Sequence, residues 1–299
     1  MPRHHLAPRR LRLLVAGLLA VVVLAGCELR LTVPEGPAPL RYRDLLFSSV
    51  TTTSAITYGS AVDQRGVRQD LLLDLYRPTG DTHRHRPAVV FVHGGGFDGG
   101  SRTSAEIVDQ ATVLARKGYV TASIAYRLAP SGCGATVTTS CLTGIRDAKH
   151  DAQAAVRFLR AHAAEHGIDA GRIAVAGTSA GGITALNVAY GSGDVGTSGT
   201  PGVASTVRAA VSLSGASVTT SPTAGDPPAL LFHGSADNRV PLAWAQNTID
   251  VARARGLVAE LTLWQGAGHV PYGAHRQEIL DQTTNFLWWN LDLPHAPTR

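Results

Sequence analysis

Gly177-Thr178-Ser179-Ala180-Gly181 constrains the fold more than any other stretch of the chain. It follows the apolar run Ile173-Ala174-Val175-Ala176, which reads as a buried strand, and it opens residues 180–190, which read as a helix. At so tight a strand-to-helix turn the serine hydroxyl is pushed into the open, and only small neighbours avoid a clash. A chain with 32 glycines in 299 residues also produces such a pentapeptide by chance, so the motif alone leaves a catalytic and a merely structural turn both open.

Its companions narrow the choice. Residues 87–92 (Pro-Ala-Val-Val-Phe-Val) form a second buried-strand pattern running straight into His93-Gly94-Gly95-Gly96-Phe97. Consecutive glycines let backbone N–H groups approach a reacting oxygen, which makes Gly95, Gly96 and Ala180 the expected donors of an oxyanion hole, with His93 tying the loop. A nucleophilic serine also requires a histidine base and a carboxylate to orient it. Asp237 stands in the polar turn that ends the apolar run 229–232, and His269 stands in a Gly-rich loop after residues 260–264. The order Ser179, Asp237, His269, each after its own strand pattern, suits one open sheet.

These residues resemble the α/β-hydrolase superfamily, and within it the lipase and carboxylesterase branch that includes hormone-sensitive-lipase-like and feruloyl- or acetylesterase-like enzymes. The resemblance covers roughly residues 71–287 and rests on His93-Gly94-Gly95-Gly96, Tyr126-Arg127-Leu128-Ala129-Pro130, Gly177-Thr178-Ser179-Ala180-Gly181-Gly182, and His233-Gly234, Asp237 and Val240-Pro241 with His269 beyond. It implies Ser179 as nucleophile, His269 as general base and then acid, and Asp237 as the orienting carboxylate. Rival residues are Asp226, which precedes a proline pair and also reads as a loop cap, and His275, which falls in the terminal helix pattern. Asp147, His150 and Asp151 share a helical stretch and read as its anchors. His4, His5, His83 and His85 lack the spacing and company of a metal site, so neither metal nor cofactor is expected.

The formal charge of +5 suggests an anionic partner until it is located. Arg3, Arg9, Arg10 and Arg12 all lie in the first 26 residues, which hold no acid; the rest carries 23 bases (27 less 4) against 22 acids, and nucleic acid is excluded as a partner. Residues 1–26, basic and then apolar, read as a signal peptide. They run into Leu24-Ala25-Gly26-Cys27, which resembles the bacterial lipoprotein box. The resemblance implies lipidation of Cys27, membrane attachment through that lipid, and a place in the bacterial cell envelope facing outward. Residues 27–45 are then the tether, rich in Pro and Gly over 28–39, and residues 46–299 the catalytic domain. Cys133 and Cys141 are the two remaining cysteines; in an oxidising compartment they are expected to form a disulfide across a short loop at the pocket rim, stabilising by about 2–3 kcal/mol.

Strand patterns at 47–58 and 70–76 suggest an opening antiparallel pair, after which strands and helices alternate. That pattern predicts an α/β fold with a mainly parallel, doubly wound sheet. Residues 191–201, rich in Gly, Ser and Thr, read as a mobile surface loop. Only residues 214–227 separate two strands where many lipases insert a helical cap, so no large lid and an open pocket are expected. The reading is a serine hydrolase of short-chain or polymer-borne carboxylic esters. An amidase or exopeptidase on the same fold, and a non-catalytic surface-binding lipoprotein, are the alternatives.

Overall fold

The apolar runs pair into one eight-stranded sheet. The computed structural model describes Met1 and residues 31–133 and 137–296. In chain order the elements are β1 (Val50–Val62), β2 (Arg68–Pro78), β3 (Arg86–Val92), α1 (Ala105–Arg116), β4 (Val120–Ile124), α2 (Thr139–Ala161), α3 (Ala163–His166), β5 (Ile168–Thr178), α4 (Ala180–Tyr190), β6 (Ala210–Leu213), β7 (Ala229–Gly234), α5 (Leu242–Ala254), β8 (Ala259–Trp264) and α6 (Tyr272–Asn290). The strand order is β1-β2-β4-β3-β5-β6-β7-β8, antiparallel across β1, β2 and β4 and parallel from β4 to β8. This is the doubly wound arrangement that the alternation of patterns predicts, with antiparallel strands at its start.

Side-chain alternation sorts the core into two layers. Ala88, Val90 and Val92 of β3 face a cluster that includes Ile145, Val156 and Leu159 of α2, Leu186 of α4 and Ile249 of α5. Val89 and Phe91 face the opposite cluster, with Ile107 and Leu114 of α1 and Phe286 and Leu287 of α6. All seven residues of β3 are buried, because helices cover both faces of a parallel strand. Each of its buried Val and Phe side chains contributes about 1.5–3 kcal/mol by leaving water. β1 is different: Thr-rich, mostly exposed and carrying two register shifts against β2, it ends the sheet with an irregular edge that discourages further pairing.

Three local expectations change. α2 begins at Thr139 because the Thr138 hydroxyl caps the Cys141 N–H, so Cys141 sits in the helix's first turn rather than in a loop before it. Residues 191–201 are no free loop: Ser198 is buried, its hydroxyl donates to Asp151 (2.6 Å), its carbonyl accepts from the Ser60 N–H, and Arg157 grips the Val195 and Gly199 carbonyls. The part of the expected tether that the structure describes lies against the body. There Tyr42 is buried, and its N–H donates to the Lys117 carbonyl, while the Leu31 carbonyl accepts from Asn285. The signal segment and Cys27 lie outside the described residues. Among the described residues no helix is long and apolar enough to cross a membrane.

Candidate active site

The sheet's winding reverses at β3: β4 lies on one side of it and β5, next in the chain, on the other. Loops leaving the carboxyl ends of two strands at such a switch point diverge and leave a crevice between them. One of these loops is His93-Gly94-Gly95-Gly96, and the other is the turn carrying Ser179.

The turn holds Ser179 at φ 55° and ψ −118°, a conformation costing a non-glycine residue on the order of 1–3 kcal/mol. Packing enforces it. A Cβ at Gly177 would meet the Gly181 carbonyl oxygen at 2.2 Å, and one at Gly181 would meet that of Val92 at 1.9 Å, so only glycines let α4 start this close to β3 and β5. The Ser179 N–H donates to the Leu213 carbonyl at 2.8 Å, which fixes the elbow to β6.

The Ser179 hydroxyl lies 2.8 Å from Nε2 of His269, and Nδ1 of His269 lies 2.8 Å from Oδ2 of Asp237. The Asp237 side chain is wholly buried, and its Oδ1 accepts from the N–H groups of Arg239 and Val240. Burial raises its pKa, but the hydrogen bonds from His269, Val240 and Arg239 outweigh that and hold it below the usual carboxylate value. An ionised carboxylate only accepts, so Nδ1 of His269 carries the proton and Nε2 is free to accept from Ser179. This line can pass a proton from hydroxyl to imidazole while the carboxylate steadies the resulting cation.

The glycine loop lies alongside. A Cβ at Gly94 would come within 3.3 Å of the Ser179 Cβ, and Gly95 and Gly96 take φ of 114° and 62°. Among the described residues, the N–H groups of Gly95, Gly96 and Ala180 have no acceptor. His93 ties the loop as expected: Nδ1 lies 2.6 Å from the Gly94 carbonyl, and its ring stacks on Tyr126 with centroids 4.3 Å apart.

Two supports were not legible beforehand. His233 is fully buried, with Nε2 2.9 Å from the Val240 carbonyl and 3.4 Å from Oδ2 of Asp237. The Ser214 hydroxyl accepts from the N–H of Val270, the residue after His269, at 3.0 Å. Both stand at the carboxyl ends of strands, the one signal that pointed to them. The rivals fall elsewhere. Asp226 caps Thr223, His275 stacks on Trp264, His150 meets Asp194, and Asp147 and Asp151 hold Arg127. Cys133 and Cys141 form the disulfide. Among the described residues no group of three or more His, Cys, Asp or Glu side chains is placed to hold a metal ion.

A cleft of about 450 Å³ is lined by Ala105, Glu106, Asp109, Val270, Tyr272 and Gly273; neither Ser179 nor His269 is among its lining residues. Another recess, of about 560 Å³, lies among β1, α2 and residues 194–198. No helical cap stands over Ser179 among the described residues.

Known proteins share this fold and parts of this sequence. The BD-FAE family model matches residues 73–215, which include the glycine loop and Ser179 but not Asp237 or His269. A 127-residue stretch, 40% of this chain, is 35% identical to esterase LipI of Mycobacterium tuberculosis, and 119 residues, 39% of the chain, are 32% identical to the non-reducing polyketide synthase nvfA of Aspergillus novofumigatus. These matches span only 33% and 5% of the two relatives' own lengths. The propionate-bound esterase Est2 of Thermogutta terrifontis superposes with a TM-score of 0.66 at 25% identity, covering 82% of this chain and 96% of that one. The same esterase phosphorylated by paraoxon gives 0.64 at 26% identity, covering 87% and 100%. Fold, elbow and these likenesses together make the chain a member of the α/β-hydrolase superfamily, with esterases among the proteins it resembles.

Proposed function

We propose that this chain is a serine carboxylesterase that cleaves short-chain or polymer-borne acyl esters through an acyl-enzyme. The observation that carries the reading is the unbroken line Ser179, His269, Asp237, with 2.8 Å at each step, beside a glycine loop whose Gly95 and Gly96 N–H groups have no acceptor among the described residues. His269 Nε2 takes the hydroxyl proton as Ser179 Oγ bonds to the ester carbonyl carbon. The carbonyl oxygen becomes an oxyanion held by the N–H groups of Gly95, Gly96 and Ala180, and the N-terminus of α4 adds favourable dipole charge. His269 then gives the proton to the departing alcohol, leaving Ser179 acylated. Water, deprotonated by His269, attacks the acyl carbon, and the acid leaves as Ser179 regains its proton.

The open site favours short acyl groups, and the propionate- and butyrate-bound forms of the Thermogutta esterase support that preference. The basic, apolar start of the chain and Leu24-Ala25-Gly26-Cys27 support export and lipid attachment at Cys27. The test is a rate series on p-nitrophenyl esters from acetyl to palmitoyl, with Ser179→Ala alongside. Turnover should peak at short acyl chains, and the mutant should lose at least about 10⁴-fold while unfolding at the same temperature. A mutant that keeps most of its activity would remove Ser179 from the chemistry.

A further inference from the structure

The oxyanion donors sit on backbone that does not hold itself in place. Gly95 and Gly96, at φ 114° and 62°, have no side chains to restrict rotation. The direction of their N–H groups therefore depends on what fastens their carbonyls and their neighbours. From within the loop, Gly99 and Asp98 N–H groups donate to the Gly95 carbonyl at 2.9 and 3.2 Å. From outside it, among the described residues, come four bonds, all from residues 126–133: the Tyr126 hydroxyl to the His93 carbonyl (3.3 Å), Ala129 N–H to the Phe97 carbonyl (2.8 Å), Cys133 N–H to the Gly96 carbonyl (2.9 Å), and Gly132 N–H to Oδ2 of Asp98 (2.9 Å).

Gly132 and Cys133 lie in no helix or strand, so something else must set their position. Cys133 is bonded to Cys141, which is 2% exposed in the capped first turn of α2. Next to that turn, the Ser140 hydroxyl donates to the Ser131 carbonyl at 3.2 Å. α2 is itself seated on the loop: a Cβ at Gly144 would stand 3.3 Å from the Phe97 Cβ and 3.1 Å from that of Ala129. The disulfide thus joins the carbonyl side of Gly96 to a rigid helix.

We propose that the Cys133–Cys141 disulfide and Asp98 are positioning elements for the oxyanion loop, aiming the Gly95 and Gly96 N–H groups at the reacting oxygen, so that turnover depends on the bridge being oxidised. This rests on the esterase reading above. Asp98 and the bridge act through the loop, on the tetrahedral state where the donors are needed, more than on substrate binding. Removing one oxyanion donor outright costs about 10²–10³ in kcat, and loosening two without removing them should cost about tenfold.

The test uses the full chain as wild type, as C133S/C141S and as Asp98→Ala, assayed below each protein's melting temperature on p-nitrophenyl butyrate. A trifluoromethyl ketone provides the second readout: Ser179 Oγ adds to its carbonyl carbon, His269 takes the proton, and the ketone oxygen becomes an oxyanion that occupies the hole. Each variant should lose about tenfold in kcat with KM within about twofold, and should bind the ketone weaker by about the factor lost in kcat/KM. Variants that melt earlier yet match the wild type in kcat and in ketone affinity would overturn the inference while leaving the esterase reading intact. If C133S/C141S does not fold, Asp98→Ala, which keeps the bridge, decides alone. A wild type without Ser179-dependent turnover would overturn the esterase reading and this inference with it.

Discussion

Asp237 and Asp151 are both carboxylates with wholly buried side chains, and they do opposite things. Asp151 faces Arg127, accepting from its main-chain N–H, its Nε and its Nη2, and also takes the Ser198 hydroxyl. A guanidinium stays charged at any physiological pH, so this pair has one state. It locks α2 to the strand-end loop after β4 and to the loop that follows α4. Asp237 spends Oδ1 on two backbone N–H groups and turns Oδ2 to the imidazole of His269, whose other nitrogen faces the Ser179 hydroxyl. On the proposed mechanism, what separates a clasp from a proton-handling pair is therefore the partner rather than the burial of the acid.

The strongest way to break this comparison is Asp237→Asn. An amide cannot hold the Nδ1–H tautomer as a carboxylate does, and kcat should fall by about 10⁴ with little change in melting temperature. Near-normal rates would place the orienting acid elsewhere. Asp151→Asn should do the reverse. It leaves Arg127 underpaired in a buried site, at a cost of about 3 kcal/mol, or roughly ten degrees of melting temperature, while kcat of the folded protein stays within about threefold. Loss of kcat without loss of stability would show that Asp151 belongs with the site.

A third carboxylate sharpens the contrast with a smaller effect. Asp81 is held by Arg41 and Arg86. Burial pushes its pKa up, but the hydrogen bonds from Arg41, Arg86 and the His83 N–H outweigh this and hold it below the ordinary value. Its folded-state pKa being depressed, the stability it contributes is fully present above the unfolded value, about 4, and is lost as pH falls through the folded one. The difference in unfolding free energy between wild type and Asp81→Asn, measured in urea, should be widest near pH 6 and shrink below about pH 4. A difference that does not change with pH would mean the pair contributes by packing alone.

Much of this molecule was legible in the chain because its cues are local. α4 at 180–190 and β8 at 259–264 fall within one residue of where the chain's apolar runs put them, and the glycines of the elbow sit where a Cβ would strike backbone. Strand and helix periods are set by near neighbours, and a tight turn by the residues within it. Ser179 and the glycine loop were readable for the same reason. Asp237 and His269 were readable as types in the right order after strands, but Asp226 and His275 satisfied the same description. The choice between them came from seating β5, β7 and β8 in one sheet, which brings residues 32 and 90 apart in sequence to hydrogen-bonding distance. The same holds for the pinning of residues 191–201 through Ser198, for the support His233 gives Asp237, and for the grip of Cys133 on the Gly96 carbonyl. Glycine, serine and threonine at 191–201 read as loose because flexibility is inferred from composition, whereas burial and hydrogen-bond partners are contributed by segments far along the chain. Local sequence determined the elements and the chemistry on offer; long-range packing decided which side chains meet and what holds them there.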